Sequence, residues 1–103
     1  VKTHKAKRVE IIIEAPMERR LTDVLEEAGV KGYTVLPVHG GSGRSGRWSR
    51  EGQVSAASGM VAILCVIRAE RLDVLLEAAF GVVERHMGVV VVSDCEVLRA
   101  ERF

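Results

Sequence analysis

The sequence carries no real excess of either charge, only two cysteines, three scattered histidines and no long apolar run, and each shortage removes a class of function. Fifteen Lys and Arg stand against fourteen Asp and Glu, a formal net charge of +1. No long-range field therefore draws the chain to nucleic acid or acidic lipid, and its partners must be recognised locally. Cys65 and Cys95 lie in or beside apolar runs without C-x-x-C spacing or a matched histidine pair, which speaks against zinc and for buried free thiols. A metal triad from His4, His39 and His86 would need three separate segments to converge, so no metal ligand is assigned. The longest apolar stretch, residues 59–67, falls far short of the ~20 residues a bilayer requires. The opening Val-Lys-Thr-His-Lys has no signal-peptide core, and a cytoplasmic location is expected. No Ser-His-Asp set, paired-carboxylate motif or cysteine beside an activating base is visible, and Glu26, Glu27 and Glu77 fall on solvated helix faces. No catalytic residue is assigned, and the chain is not expected to be an enzyme.

What is present belongs to a soluble globular protein: 48% hydrophobic and 28% charged residues suffice for a packed core. At 103 residues the expectation is one domain, small enough that strands apolar on both sides are more easily covered in an oligomer than alone. Residues 1–7 are polar and basic and read as a loosely held arm. Residues 8–15, R-V-E-I-I-I-E-A, are rich in β-branched side chains and read as a strand that Pro16 ends. From Met17 the period changes, and Leu21, Val24, Leu25 and Ala28 fall on one face of a helix that Gly29 terminates. Residues 32–39 return to strand character, with Pro37 pointing to an edge or a bulge. Residues 60–68 form a third strand without alternation, covered on both faces. Leu72, Leu75, Leu76, Ala79 and Val83 recur at helical spacing from residue 70 to about 86, and Gly88 closes the element. A fourth strand spans 89–92, and residues 93–103 extend as a short strand or tail bearing Arg99 and Arg102. This order, β-α-β, a long loop and β-α-β, is the split arrangement of an α+β, ferredoxin-like βαββαβ domain, a fold that by itself decides no function.

The loop is the informative part. Residues 40–59 hold six glycines, five serines and three arginines, too little apolar surface for a core, and loops of this length in compact domains are usually functional or disordered. Glycines at 40, 41, 43 and 46 allow a positive φ and a close backbone approach, so successive N–H groups can form an anion nest. The run matches neither the P-loop nor the dinucleotide fingerprint, and a flexible linker explains it about as well. Arg44, Arg47 and Arg50 interleave with Trp48. One aromatic is a poor stacking platform for single-stranded nucleic acid, whereas Trp and Arg are favoured anchors at protein interfaces.

Helix one ending in E-E-A-G-V, followed by K-G-Y-T-V-L-P-V-H-G-G-S-G-R-S-G, resembles the PII signalling family, in which a Gly-x-Thr-Val strand leads into a Gly-x-Gly-Arg loop. Segment order, the loop of about twenty residues (the T-loop of that family) and the basic carboxy-terminal end agree with it along the whole chain. There is one extra residue around Gly41 and Ser42, and only R-H-M-G-V stands where nitrogen-sensing members have a longer Gly-Asp-Gly-Lys phosphate loop. The loop lacks the tyrosine that some members modify, Tyr33 being the sole tyrosine, so uridylylation is not expected. The short connection and the ending E-V-L-R-A-E-R-F are closer to PII-like proteins tied to bicarbonate transporters and carboxysomes.

The resemblance implies a homotrimeric sensor of inorganic-carbon metabolism with AMP or ADP between subunits, bicarbonate as a candidate second ligand, and a protein partner such as a bicarbonate transporter or a carboxysome-related protein. No catalytic cofactor, nucleic acid or membrane insertion is expected. Thr34, Gly40, Gly43, Arg44, His86, Gly88, Arg99 and Arg102 are the nucleotide-binding candidates: a threonine hydroxyl suits an adenine edge or ribose, and guanidinium forks suit phosphate. Gly41, Ser58, Gly59 and Met60 are candidates for the anion or bicarbonate, and Arg47, Trp48 and Arg50 for the partner. On the residues alone, the arginines near the end also read as a solvated tail and His86 as a helix-ending histidine. The rival readings are a PII-like metal or small-anion sensor without nucleotide, and a small ferredoxin-like hydrolase.

Overall fold

The structure, a computed structural model, describes residues 1–43, 46–49 and 59–99, with Trp48 and Ser49 described through the backbone alone. Its core begins with alternation in β1 (His4–Glu14), where Val9, Ile11 and Ile13 are fully buried and their neighbours are not. A 3-10 turn containing Pro16 redirects the chain into α1 (Glu18–Glu27), whose Leu21 and Leu25 enter the same core. The helix ends in a Schellman motif: Gly29 takes φ +93°, its N–H donates to the Glu26 carbonyl, and the Val30 N–H reaches back to Leu25. β2 (Thr34–Val38), the hairpin strands β3 (Gly40–Gly43) and β4 (Gly46–Ser49), β5 (Met60–Ile67), α2 (Leu72–Val83) and β6 (Val89–Val97) follow.

The main sheet has the order β2-β5-β1-β6, every neighbouring pair antiparallel. β1 and β2 therefore run parallel, joined by α1, and β5 and β6 run parallel, joined by α2: the α+β, ferredoxin-like arrangement expected from the sequence. Pro37 lies in an edge strand, where its missing donor costs no ladder bond. Ile63, Cys65 and Ile67 of β5 and Leu75, Ala79, Val82 and Val83 of α2 complete the core between helices and sheet. Among the described residues, the opposite face of the sheet carries no helix. There Leu36, Ala62, Ile12 and Val89 form one row across all four strands, and Leu36, Val89 and Val91 remain 42%, 49% and 44% exposed.

Three of the boundaries that differ from the sequence reading have a clear physical reason. β1 starts at His4, so part of the polar arm is strand, and β6 continues to Val97, with His4 opposite Val97. The added rungs mix polar and apolar residues, Ala6 facing Cys95, and are joined by Lys7 to Asp94, with Thr3 to Glu96 just beyond; a strand end held by charged cross-strand pairs leaves little apolar period to read. α2 stops at Val83 rather than near His86. The His86 N–H folds back to the Val83 carbonyl at 2.9 Å, and the next N–H leaves the helix for Glu14. Within the long loop, β3 and β4 pair from Gly40↔Ser49 to Gly43↔Gly46.

Candidate functional site

Two groups of candidate residues form, apart from each other along the sheet. In the first, Gly32, Tyr33 and Thr34, the β5 residues Leu64, Cys65 and Val66, and Val97, Leu98 and Arg99 line an open cleft of about 640 Å³. Thr34 pairs with Leu64, so alternation puts the Thr34 hydroxyl on the helix-free face beside Leu64 and Val66. The chain leaving β6 brings Arg99 to the same cleft. A hydroxyl, a guanidinium and an apolar wall are what a flat base with a charged substituent requires. Tyr33 turns away, donating to Glu26 Oε1 at 3.2 Å. Sequence reasoning missed the wall formed by Leu64 and Val66, although the unalternating run at 60–68 signalled that this strand has two apolar faces.

Around the end of β1 lies the second group. The Ala15 N–H donates to the Gly59 carbonyl at 2.8 Å, tying the loop base to β1. Beside it, Glu14 Oε1 accepts the Met87 N–H at 2.9 Å and lies 3.5 Å from His86 Nδ1. Gly88 fits against β1 so closely that a Cβ there would stand 3.0 Å from Val83 Cγ1 and 3.1 Å from the Ile12 carbonyl oxygen. Gly59 and Met60 line a shallow pocket of about 210 Å³ with Ala15, Glu18, Val35, Pro37 and Val61. His86, Gly88, Gly59 and Met60 thus gather at one corner.

The glycines of the loop behave differently from the nest expected of them. Gly40, Gly41 and Gly43 lie in β3, extended and laddered against β4, and of the four only Gly46 takes a positive φ, +100°. Antiparallel pairing holds the backbone extended, whereas a nest needs alternating helical signs. Arg47 is exposed on β4. Arg44, Arg50, Ser58 and Arg102, and the side chain of Trp48, lie outside the described residues.

The two groups stand apart along the sheet: Thr34 pairs with Leu64, opposite Glu10, four residue steps from the rung of Met60 and Glu14, roughly 13 Å at the usual rise. From the Leu64 rung the cleft extends toward the His4 end of β1, where Val97 pairs with His4, while His86 and Gly59 sit at Glu14. Two titrations lie apart from both. Burial pushes the Cys65 thiol up to about 11, which removes it as a nucleophile. The Lys7 hydrogen bond, reinforced by its charge, holds the exposed Asp94 carboxyl below its ordinary value. Among the described residues, no group of three His, Cys, Asp or Glu side chains is placed to hold a metal, and no helix is long and apolar enough to cross a membrane.

The family model for nitrogen regulatory protein P-II matches residues 6–102. The chain belongs to the P-II family. Its similarity within the PII-like proteins extends over its whole length: CPII, a nitrogen regulatory PII-like protein from Thiomonas intermedia K12 solved with ADP, AMP and bicarbonate, is 33% identical over 100% of this chain and 97% of that one, with a TM-score of 0.91. The same protein with ADP and bicarbonate is 35% identical over 100% and 98% of the two chains, TM-score 0.86. Its apo form is 33% identical over 95% and 97%, TM-score 0.75. No functionally curated protein matches the sequence. This P-II member is a PII-like regulatory protein, and the resemblance read from its Gly-x-Thr-Val strand and short R-H-M-G-V connection is borne out.

Proposed function

We propose that this single-domain chain forms a homotrimer that binds AMP or ADP in its subunit seams, with bicarbonate as a second ligand, and reports on inorganic carbon through the loop at 40–59. One observation carries the reading: the cleft of Thr34 and Arg99 opens beside a sheet face whose apolar Leu36, Val89 and Val91 are left for a neighbouring copy to cover, with the corner of Gly59, Met60, His86 and Gly88 standing apart from it along the sheet. The apolar row on the helix-free face supplies the surface for that association. CPII, solved with ADP, AMP and bicarbonate, supports the ligand classes.

In this reading Thr34 meets the base or ribose, Arg99 and Arg102 the phosphate, and Gly40, Gly43, Arg44, His86 and Gly88 of the adjoining copy close the site. Bicarbonate takes the loop base at Gly41, Ser58, Gly59 and Met60. A ligand shifts the loop only by binding one loop state better than another, and Arg47, Trp48 and Arg50 then meet or release a cytoplasmic protein partner such as a bicarbonate transporter or a carboxysome-related protein. No turnover is assigned.

Calorimetric titration with AMP and ADP tests it. Losing a charged hydrogen bond costs about 1.5–3 kcal/mol, so Arg99→Ala should weaken binding about tenfold or more. Unchanged affinity in Arg99→Ala, or a wild-type chain that sediments as a monomer, rejects the seam site.

A further inference from the structure

Glu14 ends β1 at the junction of two segments. Its backbone neighbour, the Ala15 N–H, holds the Gly59 carbonyl at the loop base. Its side chain, 38% exposed, holds the α2–β6 connection through the Met87 N–H at 2.9 Å and faces His86 Nδ1 at 3.5 Å. Since the His86 N–H is already given to the Val83 carbonyl, two successive amides of this connection are engaged inside the chain. An anion arriving there meets a carboxylate where backbone donors would otherwise greet it. A second carboxylate, Glu18, lines the adjoining pocket at Gly59 and Met60.

We infer that Glu14 sets how many phosphates the seam accepts, favouring adenosine mono- and diphosphate over the triphosphate. The inference rests on the seam reading above and adds the residue that decides specificity. In that seam reading the base is held at Thr34 of one copy and the phosphate chain runs toward the Glu14 corner of the next, so each further phosphate brings negative charge closer to that corner. A terminal phosphate must either stand beside the carboxylate, where like charges repel in a partly desolvated cleft, or displace it from the Met87 N–H. A monophosphate does neither. The short connection, with few amides to spare, leaves the longer phosphate chain without compensation.

The test is calorimetry on the full chain with AMP, ADP and ATP in parallel. Wild type should bind ATP at least tenfold more weakly than AMP. Glu14→Gln keeps an oxygen for the Met87 N–H and removes only the charge; it should bring ATP to within about threefold of AMP while AMP itself changes less than twofold. An ATP-to-AMP ratio that stays the same in Glu14→Gln, with AMP still bound, overturns the role of Glu14 and leaves the seam site standing. A wild-type chain that binds no adenylate overturns the seam reading itself and this inference with it. Should Glu14→Gln fail to fold, Glu14→Ala carries the same expectation for the ratio, and equal wild-type affinities for ATP and AMP suffice to reject the assignment.

Discussion

Cys65 shows how position converts a side chain's chemistry. It occupies the inward row of β5 between Ile63 and Ile67 and opposite Val9, and burial raises its thiol from 9.0 to about 11. The folded chain keeps this proton in a range where the unfolded chain releases it, so unfolding releases a proton and stability falls as pH rises from about 9 to about 11. The melting temperature should decline across that window more steeply in wild type than in Cys65→Ala, whose curve lacks this one contribution; parallel slopes would show that the thiol ionises without unfolding. Asp94 has the opposite sign. Its depressed carboxyl favours the fold above the ordinary aspartate range, and the contribution is lost as pH falls through the folded value, although full exposure makes it small. Thr34 and Arg99 could be picked out in the sequence only as suitable types, a hydroxyl and a guanidinium. That they share a cleft while His86 does not follows from the register of β5 and the exit of β6.

At the scale of elements, the α2–β6 connection is a close fit against β1. Its shortness is plain in R-H-M-G-V, and the structure gives the consequence: Gly88 passes the Ile12 carbonyl and Val83 so closely that a methyl group would force them to give by a few tenths of an ångström. Gly88→Ala should destabilise the fold by about 1–3 kcal/mol through overpacking, a fall of several degrees in Tm for a chain of this length. Gly81, inside α2 with open space around it, is the contrast: Gly81→Ala should raise Tm, because alanine is favoured by up to ~1 kcal/mol in a helix interior. Equal shifts of one sign in both variants would show that propensity, not packing, governs these sites. The helices were legible because their buried residues recur at 3.6-residue spacing. The outer rungs of β1 were not, and those of β6 only as a short strand or tail, since Lys7 and Asp94 stabilise each other from 87 residues apart.

For the whole molecule, the helix-free face is the feature that a single copy leaves unfinished. Leu36, Val89 and Val91 remain exposed on it beside the partly covered Ile12, and apolar rows of this kind on small domains are covered by association. Val91→Asp places a charge in that surface without touching the core between helices and sheet. Sedimentation equilibrium should find three chains in wild type and one in Val91→Asp, with the far-ultraviolet circular dichroism retained. An undiminished assembly in the variant would mean that another surface joins the copies, and the seam would then need a different geometry.

The sequence by itself determined the βαββαβ order, the core faces of both helices, the family and the set of residue types suited to an adenylate. Each of these depends on local periodicity or on short motifs, which neighbours along the chain suffice to express. Only the tertiary structure decided that Thr34 and Arg99 stand together, that His86, Gly88 and Gly59 gather at Glu14 instead, and that Gly40 to Gly43 are laddered rather than nested. These depend on strand register and on contacts between residues far apart in the chain, where a step of one residue turns a side chain to the other face of the sheet.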